Sequence, residues 1–166
     1  ESTRAIARRL NDFSLDAGIL YFKDGDPETT EKLYEERYVF IAPNSLKILK
    51  DKQITWEEVA QFPLCLLTQN MRNRQLIDQQ FLELGISPKI VTEASDFTGV
   101  LAQVALGNAA TIAPVSVAET FLDLKSTVHL DLTHPVMIHS VGLSIKDQSP
   151  VLPIIKALRQ AVKAAL

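Results

Sequence analysis

Between Pro63 and Pro114 the sequence alternates short apolar runs with amphipathic segments of helical length. This alternation constrains the fold more than any other feature of the chain. The apolar runs cover residues 64–67, 90–92 and 110–113. Strand-sized apolar runs that alternate with helices indicate a parallel sheet with helices packed on its faces. The sequence therefore predicts an α/β fold.

Polar residues lie at both strand-to-helix junctions of this stretch. The first junction runs from Thr68 to Arg72, and the second runs from Ser95 to Thr98. In open α/β sheets, ligands bind at the carboxyl ends of strands, where helix N-termini carry a partial positive charge. The two junctions predict a site for a small molecule, and Arg72 and Arg74 would favour an anion.

A second interpretation of the same junctions stays open. Thr68, Asn70 and Asp96 are residue types that cap helix N-termini, and capping alone would explain their presence. Asp96 also weighs against an anion site, because its carboxylate would repel the ligand unless it faces solvent.

Composition narrows the classes of partner. The net charge of −3 argues against nucleic acid as a direct partner, since duplex binding depends on a basic face. The single cysteine, Cys65, excludes a disulfide within the chain and favours a buried, inert thiol in a reducing compartment. No apolar run reaches the roughly 18 residues of a membrane-spanning helix. A cytoplasmic protein with no membrane partner is therefore predicted.

No motif in the sequence asks for a metal, a cofactor or a catalytic residue. His129, His134 and His139 are five residues apart, which alternates faces in a strand and matches no ligand spacing. Phosphate-binding glycine loops and nucleophile motifs are absent from the sequence. The carboxylate pairs at 35–36 and 57–58 fall in charged or capping contexts, which favour solvated faces.

The flanking segments also alternate between helix and strand. An opening helix, capped by Ser2 or Thr3, would place Ile6, Leu10 and Phe13 on one face. Further strands are predicted over 15–21, 37–42, 128–132 and 137–145, with a charged loop over 23–32 and a short helix over 46–50.

Helix boundaries are marked by short local patterns. Thr55-Trp56-Glu57-Glu58 and Ser116-Val117-Ala118-Glu119 both fit a capping box. Gly85 and Gly107 stand where C-terminal caps are expected. Ser149-Pro150 predicts the start of a final helix.

Taken in order, these segments resemble the effector-binding domain of LysR-type transcriptional regulators. The opening ESTRAIARRL and the following LDAGIL are similar to the family's helix and strand. Three later segments also resemble family patterns: ITWEEVAQFPLCLL, FLELGISPKIVTEASDFTGVLAQVALGNAATIAP and HSVGLSIKDQSPVLPIIKALRQAV. Their collinear order over nearly all 166 residues carries the resemblance, because each pattern alone is degenerate. Asn108-Ala109 departs from the family where a second glycine is usual, which affects turn geometry.

The resemblance implies two Rossmann-like lobes, similar to type 2 periplasmic binding proteins, joined by two crossover strands. Lobe I would comprise residues 1–42 plus 138–166, and lobe II residues 43–137. It also implies that a winged helix-turn-helix, a linker helix and the first strand and helix of lobe I are missing from this sequence. The intact regulator would be a homodimer or homotetramer that binds DNA through the helix-turn-helix.

The resemblance further implies that a small effector, anionic in our interpretation, binds between the lobes. The residues that match the family's contact positions are Ser2, Thr3, Tyr21, Thr68, Gln69, Asn70, Phe97, Thr98 and Pro114. A solute-binding protein of a transport system with the same fold is the alternative, and the lack of a leader peptide weighs against it. A third alternative, an α/β transferase or synthase lobe, lacks a recognisable catalytic base.

Overall fold

Strands and helices alternate along the chain in a computed structural model that describes residues 3–22, 30–46, 53–121, 126–146 and 152–165. The strands are β1 (Ala17–Phe22), β2 (Thr30–Pro43), β3 (Gln53–Thr55), β4 (Leu64–Leu67), β5 (Ile90–Ala94), β6 (Thr111–Pro114), β7 (Thr127–Thr133) and β8 (Ile138–Ile145). The helices are α1 (Thr3–Asn11), α2 (Trp56–Val59), α3 (Arg72–Glu83), α4 (Phe97–Ala105), α5 (Val115–Phe121) and α6 (Pro153–Ala165).

The chain divides into two compact units. Unit 1 comprises Glu1–Glu36 and His139–Leu166, and unit 2 comprises Arg37–Ile138. Two strands, β2 and β8, run from one unit into the other.

In unit 1, β8 lies between β1 and β2, and it pairs antiparallel with β1. Helix α1 covers one face of β1, where Ile6 meets Gly18. Helix α6 covers the opposite face, where Ile155 packs with residues of β8. In the centre of β8, Gly142 lies under Phe22 and Thr30, and a Cβ there would stand 2.7 Å from both side chains. Glycine is therefore the residue that fits at this position of the middle strand.

In unit 2, the strands follow one another in the order β5, β4, β6, β2, β7, β3. Strand β4 pairs parallel with β5, and an isolated parallel bridge joins Leu64 of β4 to Ala110, the residue before β6. Strands β6 and β7 flank β2 antiparallel, and β3 adds parallel to β7. The parallel arrangement that the sequence predicts is confirmed for β4, β5 and β6, whereas β2 runs antiparallel to both of its neighbours in this unit.

The core of unit 2 follows the apolar periodicity of its helices. Leu101 and Val104 of α4 pack on Val39, Ile41 and Ala113 of the sheet. The Trp56 and Phe81 rings meet edge to face at 5.0 Å, and the Trp56 indole N–H donates to the carbonyl of Pro135 at 2.9 Å.

Several predicted boundaries are confirmed. The Thr55 capping box is complete, since Thr55 and Glu58 each accept a hydrogen bond from the other's backbone N–H. Gly85 and Gly107 follow α3 and α4 with φ values of 69° and 80°, which suit a glycine at a helix C-terminus.

Three other expectations are wrong. Helix α1 ends at Asn11, and Phe13 is 63% exposed with φ 64°, because the Asp12 carboxylate accepts the Ser14 N–H and closes a turn. Of the loop predicted over 23–32, residues 30–32 form the start of β2, next to β8, and residues 23–29 lie outside the described residues.

The third error concerns Ser116. Helix α5 begins at Val115, directly after β6, so Ser116 lies inside the helix and its carbonyl accepts the Thr120 hydroxyl. Of the short helix predicted over 46–50, residues 47–50 lie outside the described residues, and Asn44–Leu46 forms a 3₁₀ turn. The predicted caps at Ser2 and Ser149-Pro150 also lie outside the described residues.

Candidate functional site

The first candidate region is the β4–α3 junction, which comprises Thr68–Met71. The backbone N–H of Thr68 donates to Ala94 at the end of β5 (3.0 Å), and that of Met71 donates to the carbonyl of Thr68 (2.9 Å). The Thr68 hydroxyl donates to the side-chain oxygen of Asn70 at 2.8 Å. These bonds form a tight turn that places Thr68, Gln69 and Asn70 at the start of α3, with Gln69 and Asn70 exposed.

The start of α3 carries no capping side chain of its own. Met71 is the N-cap residue and makes no side-chain capping hydrogen bond, and the first turn holds no acidic residue. The N-cap position belongs to Met71 and not to Thr68 or Asn70, whose side chains bond to each other. Arg72 opens the helix, and its Nε has no hydrogen-bond partner among the described residues. The positive end of the α3 dipole is thus not offset by a carboxylate within the helix's first turn.

The sequence predicted that Arg74 would add positive charge for an anion at this junction. The structure shows a different role for this residue. Its side chain is buried, and its Nη1 donates to the carbonyl of Leu67 (2.8 Å) and to Glu93 (2.5 Å), while its Nε donates to Asp78 (2.8 Å). Burial works against the charged guanidinium, but the hydrogen bonds to Glu93 and Asp78 raise the pKa of Arg74 overall. Two carboxylates thus neutralise this cation, and its charge is not directed at a ligand.

The second candidate region is the β5–α4 junction, Ser95–Thr98. Here the capping interpretation is confirmed, because the Asp96 carboxylate accepts the backbone N–H of Gly99 at 2.9 Å. The Ser95 hydroxyl lies 3.4 Å from the other carboxylate oxygen of Asp96. Thr98 and Asp96 are both exposed, so the start of α4 presents a hydroxyl and a negative charge to solvent.

Phe97 and Pro114, two of the predicted ligand contacts, are also part of the core packing of unit 2. Phe97 packs against two apolar clusters of unit 2, one around Val39 and Ile41 and the other around Cys65 and Val100. Pro114 is buried at the end of β6, opposite Tyr38 of β2. Both residues therefore contribute to packing, whether or not they also touch a ligand.

In unit 1, Thr3 is the first residue of α1 and is half-buried. The Tyr21 hydroxyl of β1 donates to the carboxylate of Glu36, which is only 7% exposed. Alternation along β1 points Tyr21 towards the face that α6 covers, whereas α1 covers the opposite face. Ser2 lies outside the described residues.

The structure thus brings part of the predicted set together. Within unit 2, the Thr68–Ala94 hydrogen bond holds the β4–α3 junction beside the β5–α4 junction. The assignment of the predicted residues as effector contacts stays a prediction.

Sequence reasoning missed the roles of Glu36 and Arg74. Glu36 was expected on a solvated face, yet it is buried and bonded to Tyr21. A signal was present, since Glu36 is followed at intervals of two by Tyr38 and Phe40, both of which are buried. For Arg74 the local signal is limited to Asp78, four residues along α3, because its other two partners come from β4 and β5.

No group of three or more potential metal ligands occurs within the parts of the chain that the structure describes. Cys65 is fully buried in β4, and burial raises the pKa of its thiol. The same described residues contain no helix with the length and apolar character needed to cross a membrane.

Comparison with known proteins places this fold among regulator domains. The family model described as the LysR substrate binding domain matches residues 1–166. The effector-binding domain of QuiR in complex with shikimate is similar, with a TM-score of 0.80, 20% identity and coverage of 99% of this chain and 78% of that chain.

Two further solved structures are similar. The regulatory domain of Synechocystis PCC6803 CcmR in complex with 2-PG has a TM-score of 0.86 at 10% identity, covering 99% of this chain and 79% of that chain. A Corynebacterium glutamicum OxyR C206 mutant has a TM-score of 0.82 at 17% identity, covering 99% of this chain and 52% of that chain. No curated protein sequence has significant similarity to the chain. The family match and the structural likenesses confirm the predicted α/β, periplasmic-binding-protein-like fold.

Proposed function

We propose that this chain, which belongs to the LysR substrate binding domain family, senses a small anionic effector and passes the signal to the DNA-binding domains of an intact regulator. A ligand shifts such an equilibrium only if it binds one arrangement of the protein more tightly than another. Membership of this family favours the regulator over a solute-binding protein of a transport system.

The observation that carries the anionic preference is the start of α3. Its N-cap, Met71, provides no side-chain cap, Arg72 follows, and the Thr68 hydroxyl lies in the same turn. Exposed helix N-termini of this kind bind carboxylates and other small anions. We place the anionic group of the effector at this junction and its uncharged part towards Thr98. Tyr21, Thr3 and Ser2 stay proposed contacts from unit 1.

We further propose that the regulator acts in the cytoplasm as a homodimer or homotetramer, without catalysis and without a cofactor. Its contact with DNA would be made by a helix-turn-helix outside this chain. A full-length BenM mutant is among the similar structures, and this chain covers 55% of it, which leaves room there for further domains. A single buried cysteine fits a reducing compartment.

A thiol-based response is the second candidate, because several of the similar structures are of OxyR, two of them described as reduced forms. Cys65 would have to carry it, since it is the chain's one cysteine. Its full burial and raised pKa argue against reaction with an oxidant, because the thiolate is the reactive form.

The test is a thermal-shift and calorimetric screen of the protein with small carboxylates, amino acids, sulfate and phosphate. A ligand at a hundred times its Kd stabilises the folded state by about 2.7 kcal/mol, which raises Tm measurably. Thr68→Val should weaken binding of the best ligand, and Thr92→Val, at an exposed threonine of β5, is the matched control. If no compound raises Tm, the sensor proposal fails; if the two variants bind alike, the assignment of Thr68 is wrong.

A further inference from the structure

We infer that Arg74 is the positioning residue of the candidate site, because its guanidinium holds the β4–α3 junction against β5. This inference rests on the proposed function for its ligand, although its structural part can be tested separately. The Arg74 guanidinium donates to three protein groups, on Leu67, Asp78 and Glu93.

The geometry links three elements through one side chain. Leu67, whose carbonyl accepts from Arg74, immediately precedes Thr68, so this bond fixes the peptide that enters the junction. Glu93, the second acceptor, immediately precedes Ala94, whose carbonyl accepts the Thr68 N–H. Two neighbouring bonds, Arg74–Glu93 and Thr68–Ala94, therefore clamp the junction to the end of β5.

The third bond, to Asp78, fixes the guanidinium along its own helix. Asp78 lies one turn further along α3, and it holds Nε at 2.8 Å. The two carboxylates are about 40% exposed, whereas the Arg74 side chain is 4% exposed. Only the planar five-donor fork of arginine offers donors in the directions of all three acceptors, and a lysine ammonium is a single point charge.

Positioning and simple attraction of the ligand make different predictions. If Arg74 acted by charge, Arg74→Lys would retain the affinity for an anion. If it acts by position, Arg74→Lys should weaken sulfate binding about tenfold, because at least one charge-assisted hydrogen bond is lost. Glu93→Ala, which removes the acceptor on β5, should weaken sulfate binding to a similar degree. Asp78→Ala removes the same charge but leaves the tie to β5 intact, and should change sulfate binding less than about twofold.

Amide hydrogen exchange gives the readout that needs no ligand. In the 166-residue chain, Arg74→Lys and Glu93→Ala should speed exchange of the Thr68 N–H about tenfold. The Gly99 N–H, which the Asp96 cap protects on the neighbouring helix, is the internal control and should not change. Arg72→Gln provides the opposite pattern, with weaker sulfate binding and unchanged exchange at Thr68.

The outcomes separate the two proposals. Unchanged exchange at Thr68 in both variants, or equal acceleration at Thr68 and Gly99, overturns the positioning role. Faster exchange at Thr68 alone, with no sulfate binding by the wild-type protein, supports the clamp and counts against the anionic effector. If Arg74→Lys fails to fold, Glu93→Ala, at a partly exposed position, decides the question.

Discussion

The β4–α3 and β5–α4 junctions of unit 2 share one topology and differ in charge. Each leads from a parallel strand into a helix, and a single backbone hydrogen bond joins them. At α4 the Asp96 carboxylate caps the helix, whereas at α3 the N-cap residue is Met71, which makes no capping bond. The difference shows that a strand-to-helix junction alone does not identify an anion site. The capping residue decides whether the N-terminus of the helix stays electropositive.

The two junctions also differ in the interactions that hold them to the rest of unit 2. At the β4–α3 junction a buried Arg74 holds the turn through its hydrogen bonds to Leu67 and Glu93. At the β5–α4 junction the support is apolar, because Phe97 packs on two clusters of the core. The variants below test this contrast.

Phe97→Ala should produce the largest effect on stability. The ring joins two core clusters, so its loss should lower the free energy of unfolding by about 3 kcal/mol. Met71→Ala, at the N-cap of α3, should cost only about 1 kcal/mol, because Met71 packs against one of these clusters. Urea unfolding measures both values. A larger loss at Met71 than at Phe97 would reverse our view of which junction rests on the core.

Giving the start of α3 the negative charge that the start of α4 carries should weaken anion binding. Met71→Asp adds a carboxylate at α3 and should weaken sulfate binding about fivefold at low ionic strength, since unit charges 4 Å apart in water interact by about 1 kcal/mol. Added salt should reduce the effect. Met71→Asn, which can cap without charge, is the control for calorimetric titration. Equal weakening by the two substitutions would show that shape, and not charge, governs this end of α3.

Removing the cap of α4 should have a smaller effect, and only on stability. Asp96→Ala should cost about 1 kcal/mol in urea unfolding, because it deletes the bond to the Gly99 N–H. Asp96→Asn keeps a capping oxygen and should cost less than half as much. Thr68→Ala should cost less than Asp96→Ala, since the Thr68 hydroxyl caps no helix; a loss as large as that of Asp96→Ala contradicts this account.

The smallest effect concerns the thiol beneath the first junction. Cys65 is fully buried and its pKa is raised by burial, so a thiol reagent at pH 7 should not label the folded protein on the timescale of minutes. Labelling in urea should follow global unfolding, as monitored by absorbance. Fast labelling without urea would indicate that β4 opens locally.

Local chemistry predicted those features that depend on neighbours in sequence. The apolar run at 64–67 became β4 with the same bounds, and the capping box at Thr55 and the glycines after α3 and α4 act as expected. The Asp96 cap also follows from its local pattern.

The features that were missed depend on partners distant in sequence. Arg74 is buried because Glu93, nineteen residues away, accepts its hydrogen bond. Glu36 is buried beside Tyr21, fifteen residues earlier. The start of β2 at Thr30 depends on its neighbour β8. From sequence alone, a charged residue is predicted to be exposed to solvent. Its burial can be predicted only when the fold that brings its partner close is known.

Gly142 shows how little room the smaller unit leaves for change. Its neighbours Phe22 and Thr30 occupy the space that a methyl group would need. An alanine there would act as a wedge under an aromatic ring on one side and a threonine on the other. Both the Phe22 ring and the Thr30 methyl group would have to turn aside, which would loosen the packing on that face of the sheet. One hydrogen atom in place of a carbon thus lets side chains of both outer strands close over the middle strand.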